Sequence, residues 1–267
     1  MNHAARLALL AIAGVVLSPV RAAEPYASWD NFNGVTALNP SRWQGTDRIR
    51  LIQGGALRVA QRDLGNQSSN VGLLSNSWDT YLKNPTLIRQ LRAKVTVSDY
   101  ALTACATNPS ASSVEARLVG LYFNAGPGVP TSLINDVGAK IRLWRSSNAA
   151  DAANVVRVQG VVFQCTAADC NTNDITLGTA ELGAAVVGET LILKMEWDPT
   201  QKVFNFARGT DPVVQVPYSA SDAQAPWYAF RGIGTRTSMA NCLAGNRTDG
   251  FIDARFDTIN VNASAAP

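Results

Sequence analysis

Histidine is almost missing from this chain. The one copy, His3, sits inside an N-terminal apolar segment, ahead of the part that reads as globular. Its absence removes the usual imidazole base of Ser–His and Cys–His catalysis and the imidazole ligand of most catalytic zinc sites. Glutamate is also scarce, with only Glu24, Glu115, Glu181, Glu189 and Glu196. No CxxC pair occurs, and no apolar run beyond the N-terminus is long enough to span a bilayer, so zinc binding and a membrane span are not expected. Nor is there a clustered basic surface of the kind nucleic acid requires, or a motif for a nucleotide cofactor.

The N-terminus is better furnished. Arg6 precedes the unbroken run LALLAIAGVVL at 7–17; Ser18 and Pro19 end it, and Val20-Arg21-Ala22 offers small or uncharged residues at a cleavage site. These are the marks of a secretory signal peptide over 1–22. Its removal takes Arg6, Arg21 and His3 and lowers the formal charge from +3 to +1. The rest, 23–267, shows no break in composition and reads as one domain, periplasmic or extracellular. Four cysteines in an oxidising compartment imply two disulfides. Cys165 and Cys170 close a short loop, which leaves Cys105 to pair with Cys242.

Short alternating segments rich in Val, Ile, Leu, Phe, Tyr and Thr, separated by Gly, Pro, Asn and Asp, favour strands. They fall at 47–53, 56–62, 71–75, 88–99, 116–124, 139–146, 153–164, 190–197, 202–207, 227–236 and 250–262. Asp198-Pro199-Thr200-Gln201 marks a turn. Only 131–137 suggests a short helix, and the tail Ala263–Pro267 reads as frayed. So many strands without intervening helices indicate an all-β antiparallel sandwich.

The opening Asp30-Asn31-Phe32-Asn33-Gly34, the run Leu38-Asn39-Pro40-Ser41-Arg42-Trp43, the turn and strand Gly54-Gly55-Ala56-Leu57-Arg58-Val59, the hairpin through Met195-Glu196-Trp197-Asp198 and Phe204-Asn205-Phe206, and the closing Phe256-Asp257-Thr258-Ile259-Asn260-Val261 carry a resemblance. They resemble the concanavalin A-like lectin/glucanase jelly roll, in its wide group of laminin-G-like and carbohydrate-active bacterial domains. The resemblance implies that 253–261 lies antiparallel to 91–99, which brings the loops of Cys105 and Cys242 together. It also implies a structural calcium held by Asp30, Gly55 and Asp257.

Glucanases of this fold carry E-x-D-x-x-E on a strand, whereas here Glu196-Trp197-Asp198 lacks the second glutamate. Strand alternation places Tyr122 with Asn124; Lys140 with Arg142 and Trp144; Arg157 with Gln159; and Lys194 with Glu196. If these faces coincide, the concave sheet presents Tyr122, Asn124, Arg142, Trp144, Arg157, Gln159, Lys194 and Glu196 to a glycan, acidic ones included. The preferred expectation is a non-catalytic carbohydrate-binding domain. The alternatives are a polysaccharide lyase or glycoside hydrolase using Tyr122 or Glu196, and a cell-surface structural or adhesive domain.

Overall fold

A computed structural model describes residues 24–45, 50–170, 174–243 and 245–267; the signal peptide expected over 1–22 and the start of the strand expected at 47–53 lie outside them. Fifteen strands occur among the described residues. They are β1 (Tyr26–Asp30), β2 (Trp43–Gln44), β3 (Arg50–Gln53), β4 (Ala56–Leu64) and β5 (Leu73–Leu82). Next come β6 (Gln90–Leu102), β7 (Ser113–Asn124), β8 (Asp136–Ser146), β9 (Val155–Cys165) and β10 (Asp174–Val186). The last are β11 (Thr190–Asp198), β12 (Val203–Arg208), β13 (Val214–Pro217), β14 (Phe230–Ala240) and β15 (Asp249–Asn262).

Two antiparallel sheets face each other. One has the order β13-β12-β11-β6-β15-β4-β3, with β1 added on β15; the other runs β10-β9-β8-β7-β14-β5-β2. The closing strand pairs with β6 from Gly250↔Leu102 to Val261↔Leu91, the register the resemblance implies. Both disulfides form, Cys105–Cys242 with its Cα atoms 5.6 Å apart and Cys165–Cys170 at 4.8 Å.

Alternation explains the core. On β6, Leu91, Ala93, Val95 and Val97 are buried while Lys94 is exposed; on β11, Leu191, Leu193 and Met195 point inward. Phe206 of β12 packs so closely on β9 that a Cβ at Gly160 would meet its ring at 2.4 Å. Burying one such aromatic ring contributes about 2–3 kcal/mol. The 198–201 turn forms through Asp198, whose carboxylate accepts from the amides of Thr200 and Gln201.

Six elements differ from expectation. The segment 131–137 is not helical, because Thr131 and Asn135 take positive φ (62° and 69°) and Asp136 already starts β8. The tail is not frayed: Ala263–Ala265 forms a 3-10 turn, Ser264 Oγ donates to Glu24, and Ala265 is buried. Edge strand β10 lacks an alternating apolar signature because most of its side chains are exposed. β1, β2 and β13 are five residues or shorter.

Strand β7 departs from the half-buried pattern. Every residue from Val114 to Asn124 is buried, on both faces. Val114, Ala116 and Leu118 face the core; Glu115 and Arg117 face away from it, yet are 4% and 5% exposed. Charged side chains on an outer face stay buried only if they satisfy one another.

Candidate active site

The outer face of the seven-stranded sheet holds that arrangement. Glu115 is its hub: its carboxylate accepts from Arg117 Nη1 at 3.0 Å, Lys140 Nζ at 3.2 Å and Arg142 Nη1 at 2.5 Å. Arg117 also binds Asp79 of β5 through Nε at 3.2 Å and Nη2 at 2.7 Å. This pair reaches across β14 because Gly234 stands opposite both Arg117 and Asp79. A Cβ at Gly234 would lie 2.6 Å from Asp79 Oδ1, so a larger residue there would collide with the bridge. Arg142 continues the network to Gln159 Oε1 at 2.6 Å, and the Gln159 amide donates to Glu181 of β10.

Two cavities open over this floor. One, of about 230 Å³, is lined by Ser77, Asp79, Tyr81, Arg117, Lys140 and Arg236 at its polar end, and by Leu121, Phe163, Tyr228 and Phe230 at its apolar end. The second, of about 550 Å³, shares Lys140 and Arg236 with it and adds Glu115 and Arg142. The Ser77 hydroxyl is buried with no hydrogen-bond partner among the described residues.

Four cations, Arg117, Lys140, Arg142 and Arg236, thus line these cavities together with four carboxylates, Asp79, Glu115, Asp169 and Asp174. Burial weakens the charged form of Lys140, and repulsion from Arg142, Arg236 and Arg117 adds to it; against the pull of Glu115, its pKa falls to about 7. Burial alone would raise Glu115, but Lys140, Arg142, Arg117 and Arg236 hold it well below the usual carboxylate range. Burial, then the Asp79 charge, pushes Tyr81 up to about 12. The floor therefore combines an amine that is half neutral near pH 7, a phenol that keeps its proton, and a Glu115 carboxylate held ionised by the cations around it.

Half of the expected glycan-binding set lies here. Arg142, Trp144, Arg157 and Gln159 share the outer face, and the Arg142 guanidinium stacks 4.5 Å over the Trp144 ring. Tyr122, Asn124, Lys194 and Glu196 do not. Tyr122 is in phase with Val114 and Ala116 rather than with Glu115, so it enters the core against Phe204, under the Arg231 guanidinium. Burial raises its pKa, and its hydroxyl finds no hydrogen-bond partner among the described residues. Asn124 binds Asp136 and the Ile134 carbonyl, pinning the loop before β8. Lys194 and Glu196 belong to β11 in the opposite sheet, where Glu196 accepts from Gln90 and Asn205.

For the expected calcium ligands, Asp30 already accepts from the Phe32 amide and the Trp43 indole. Gly55 lies against Asn33, and Asp257 sits 3.8 Å from Lys94. No group of three or more His, Cys, Asp or Glu side chains among the described residues is arranged to hold a metal ion.

Sequence reasoning missed Asp79, Tyr81, Glu115, Arg117 and Arg236, and noted Lys140 without assigning it. The overlooked signal was Glu115-Ala116-Arg117: charges two residues apart in a strand whose intervening residues are apolar.

No protein-family model and no curated protein matches the chain. Among solved structures, it is similar to the catalytic domain of an endo-1,3-β-glucanase (laminarinase) from Thermotoga petrophila, at 10% identity over 88% of this chain and 98% of that one, TM-score 0.43. It is similar to a laminarinase from Flavobacterium at 12% identity, covering 87% and 97%, TM-score 0.44. It is also similar to the alginate lyase Aly36B at 14% identity, covering 92% and 100%, TM-score 0.42. The expectation of a non-catalytic binding domain is corrected: half the side chains that reading relied on lie elsewhere, in the core, in the loop contact before β8 and on the opposite sheet. With its two antiparallel sheets and closing strand beside β6, the chain folds as a concanavalin A-like jelly roll.

Proposed function

We propose that this protein is an exported polysaccharide lyase that cleaves uronate-containing glycans by β-elimination. The observation that carries this reading is Lys140, a buried amine on the groove floor, set among Arg117, Arg142 and Arg236 and shared by both cavities. A uronate carboxylate entering the groove meets guanidinium groups, which lower the cost of building negative charge next to it. Neutral Lys140 removes the proton at C5. That electron pair forms the C4–C5 double bond as the C4–O bond breaks, and the departing oxygen takes a proton from the Tyr81 hydroxyl. Lys140 and Tyr81 line the same cavity, so one substrate pose can face both.

Hydrolysis needs one protonated carboxyl group as general acid. Glu115 is held ionised by three cationic partners, so it does not suit that role. Two disulfides fit an oxidising compartment, and no described helix is long and apolar enough to cross a membrane.

The test is incubation of the protein with polyuronates and neutral β-glucans, reading ultraviolet absorbance of unsaturated ends beside total reducing ends. The expected result is unsaturated product from polyuronates, with kcat/KM rising with pH through about 7 as Lys140 loses its proton, and loss of product in Lys140→Met. Reducing ends without unsaturation would replace elimination by hydrolysis. No product from any polymer would remove the enzyme reading.

A further inference from the structure

The elimination engages Lys140 and Tyr81 and leaves the apolar end of their cavity without a task. Strand pairing fixes where that end lies. Tyr81, Gly232, Val119 and Lys140 stand side by side across β5, β14, β7 and β8, one row of the outer face. Phe230, the preceding outward residue of β14, lies two positions along the strand, roughly 7 Å from that row. It is one strand away from Tyr81 and two from Lys140. Its ring centroid is 5.1 Å from that of Tyr81 and 6.2 Å from that of Tyr228, so the three rings run on from the proton donor as one surface.

Trp227 and Tyr228 are the most exposed aromatic side chains among the described residues, at 54% and 48%. Tyr228 lines the cavity; Trp227 is not among its walls. The backbone that presents them is pinned. Gln224 bridges to Asn124, and Asp136, buried at the start of β8, accepts from the Trp227 amide at 3.1 Å and from the Asn124 side-chain amide at 2.7 Å. A ring fixed before its ligand arrives lowers the ordering cost of binding. The Tyr228 ring is apolar on its face and polar at its tip, and a pyranose matches it with a C–H face rimmed by hydroxyls. In the elimination the departing oxygen stays on the anomeric carbon of the leaving sugar, and Tyr81 protonates that oxygen. The leaving sugar therefore lies on the Tyr81 side of the broken bond, where Phe230 and Tyr228 are the adjoining surface.

Resting on the lyase reading, we infer that Phe230 and Tyr228 form the subsite for the departing sugar unit and grip it by the apolar face of its ring. The unaltered protein is first assayed on polymannuronate, polygalacturonate and polyglucuronate. Tyr228→Ala, Tyr228→Phe and Trp227→Ala are then compared with it on whichever polymer is cut fastest, by initial rates of unsaturated product. Tyr228→Ala is expected to raise KM about tenfold with kcat within about threefold, because it removes a contact made equally before and during the reaction. Tyr228→Phe, which returns the ring, recovers most of that loss. Trp227→Ala, on the same segment but off the cavity, leaves KM within about twofold and so separates a ring contact from a loosened backbone. The acidic limb near pH 7 stays in place in all three, since Lys140 is untouched. An unchanged KM in Tyr228→Ala overturns the subsite and leaves the lyase reading standing. So does a Tyr228→Phe as poor as Tyr228→Ala, or a Trp227→Ala equally damaged. Absence of unsaturated product from all three polymers with the unaltered protein removes both.

Discussion

Glu115→Gln isolates what holds the charged floor together. The substitution keeps shape and one acceptor oxygen but removes the negative charge shared by Arg117, Lys140 and Arg142. The partners have side-chain exposures of 7%, 9% and 18%, so water replaces little of the lost attraction. Removing one member of a buried ion pair typically costs about 3–5 kcal/mol, because the remaining charges stay desolvated. For a domain of this size that corresponds to a fall in melting midpoint of roughly 6–20 °C. The deficit depends on pH with a definite sign. Glu115 is what opposes the fall of the Lys140 pKa, so without it the lysine titrates below about 7. Above that value Lys140 is neutral, one unpaired cation fewer remains, and the variant's deficit is smaller at pH 9 than at pH 6. The same change moves the acidic limb of the lyase pH profile to lower pH. Thermal melts at pH 6 and 9, with pH–rate profiles of both proteins, test this together. An unchanged midpoint, or a limb displaced to higher pH, would refute the account of Glu115 as the hub of the cluster.

Tyr122→Phe deletes a buried hydroxyl that has no hydrogen-bond partner among the described residues, so stability should stay within about 1 kcal/mol and product formation should be unaltered; a large loss of activity would return Tyr122 to the site. Chain entropy assigns about 5 kcal/mol to the Cys105–Cys242 bridge, with sequence separation 137, and about 2 kcal/mol to Cys165–Cys170, with separation 5. Denaturant titration of Cys105→Ser with Cys242→Ser, against the other double variant, should preserve that order, and equal losses would contradict it. Melting with calcium and with chelator decides the expected ion: calcium at a hundred times its Kd adds about 2.7 kcal/mol, roughly 5–11 °C here, and coincident curves reject the site.

The sheets were legible from sequence wherever one strand face is wet. β6 and β11 alternate because water lies on one side and the core on the other, and their pairing followed from the fold they resemble. β10 escaped notice for the opposite reason. An edge strand with Ile175, Thr176, Leu177, Thr179 and Glu181 all exposed has little need of an apolar stripe. The left-handed residues Thr131 and Asn135 leave no periodic trace, which is how a loop passed for a helix.

The site was harder to read, for a reason peculiar to burial on both faces of a strand. In β7 the apolar residues no longer mark the inside. Val119 and Leu121 face outward under the loop that carries Leu133, and Tyr122 and Phe123 both pack inward where the register slips past Gly138. Alternation counted from the aromatic pair therefore came out one residue out of phase, and chose Tyr122 and Asn124 over Glu115 and Arg117. A more discriminating clue was chemical: a glutamate and an arginine at i and i+2 on one long apolar strand must share an environment, and three more cations within reach of it settle that environment as a charged floor. With its one histidine at position 3, outside the described residues, the chain can still assemble a base at neutral pH, because burying a lysine, with arginines beside it, lowers its proton affinity as far as an imidazole's.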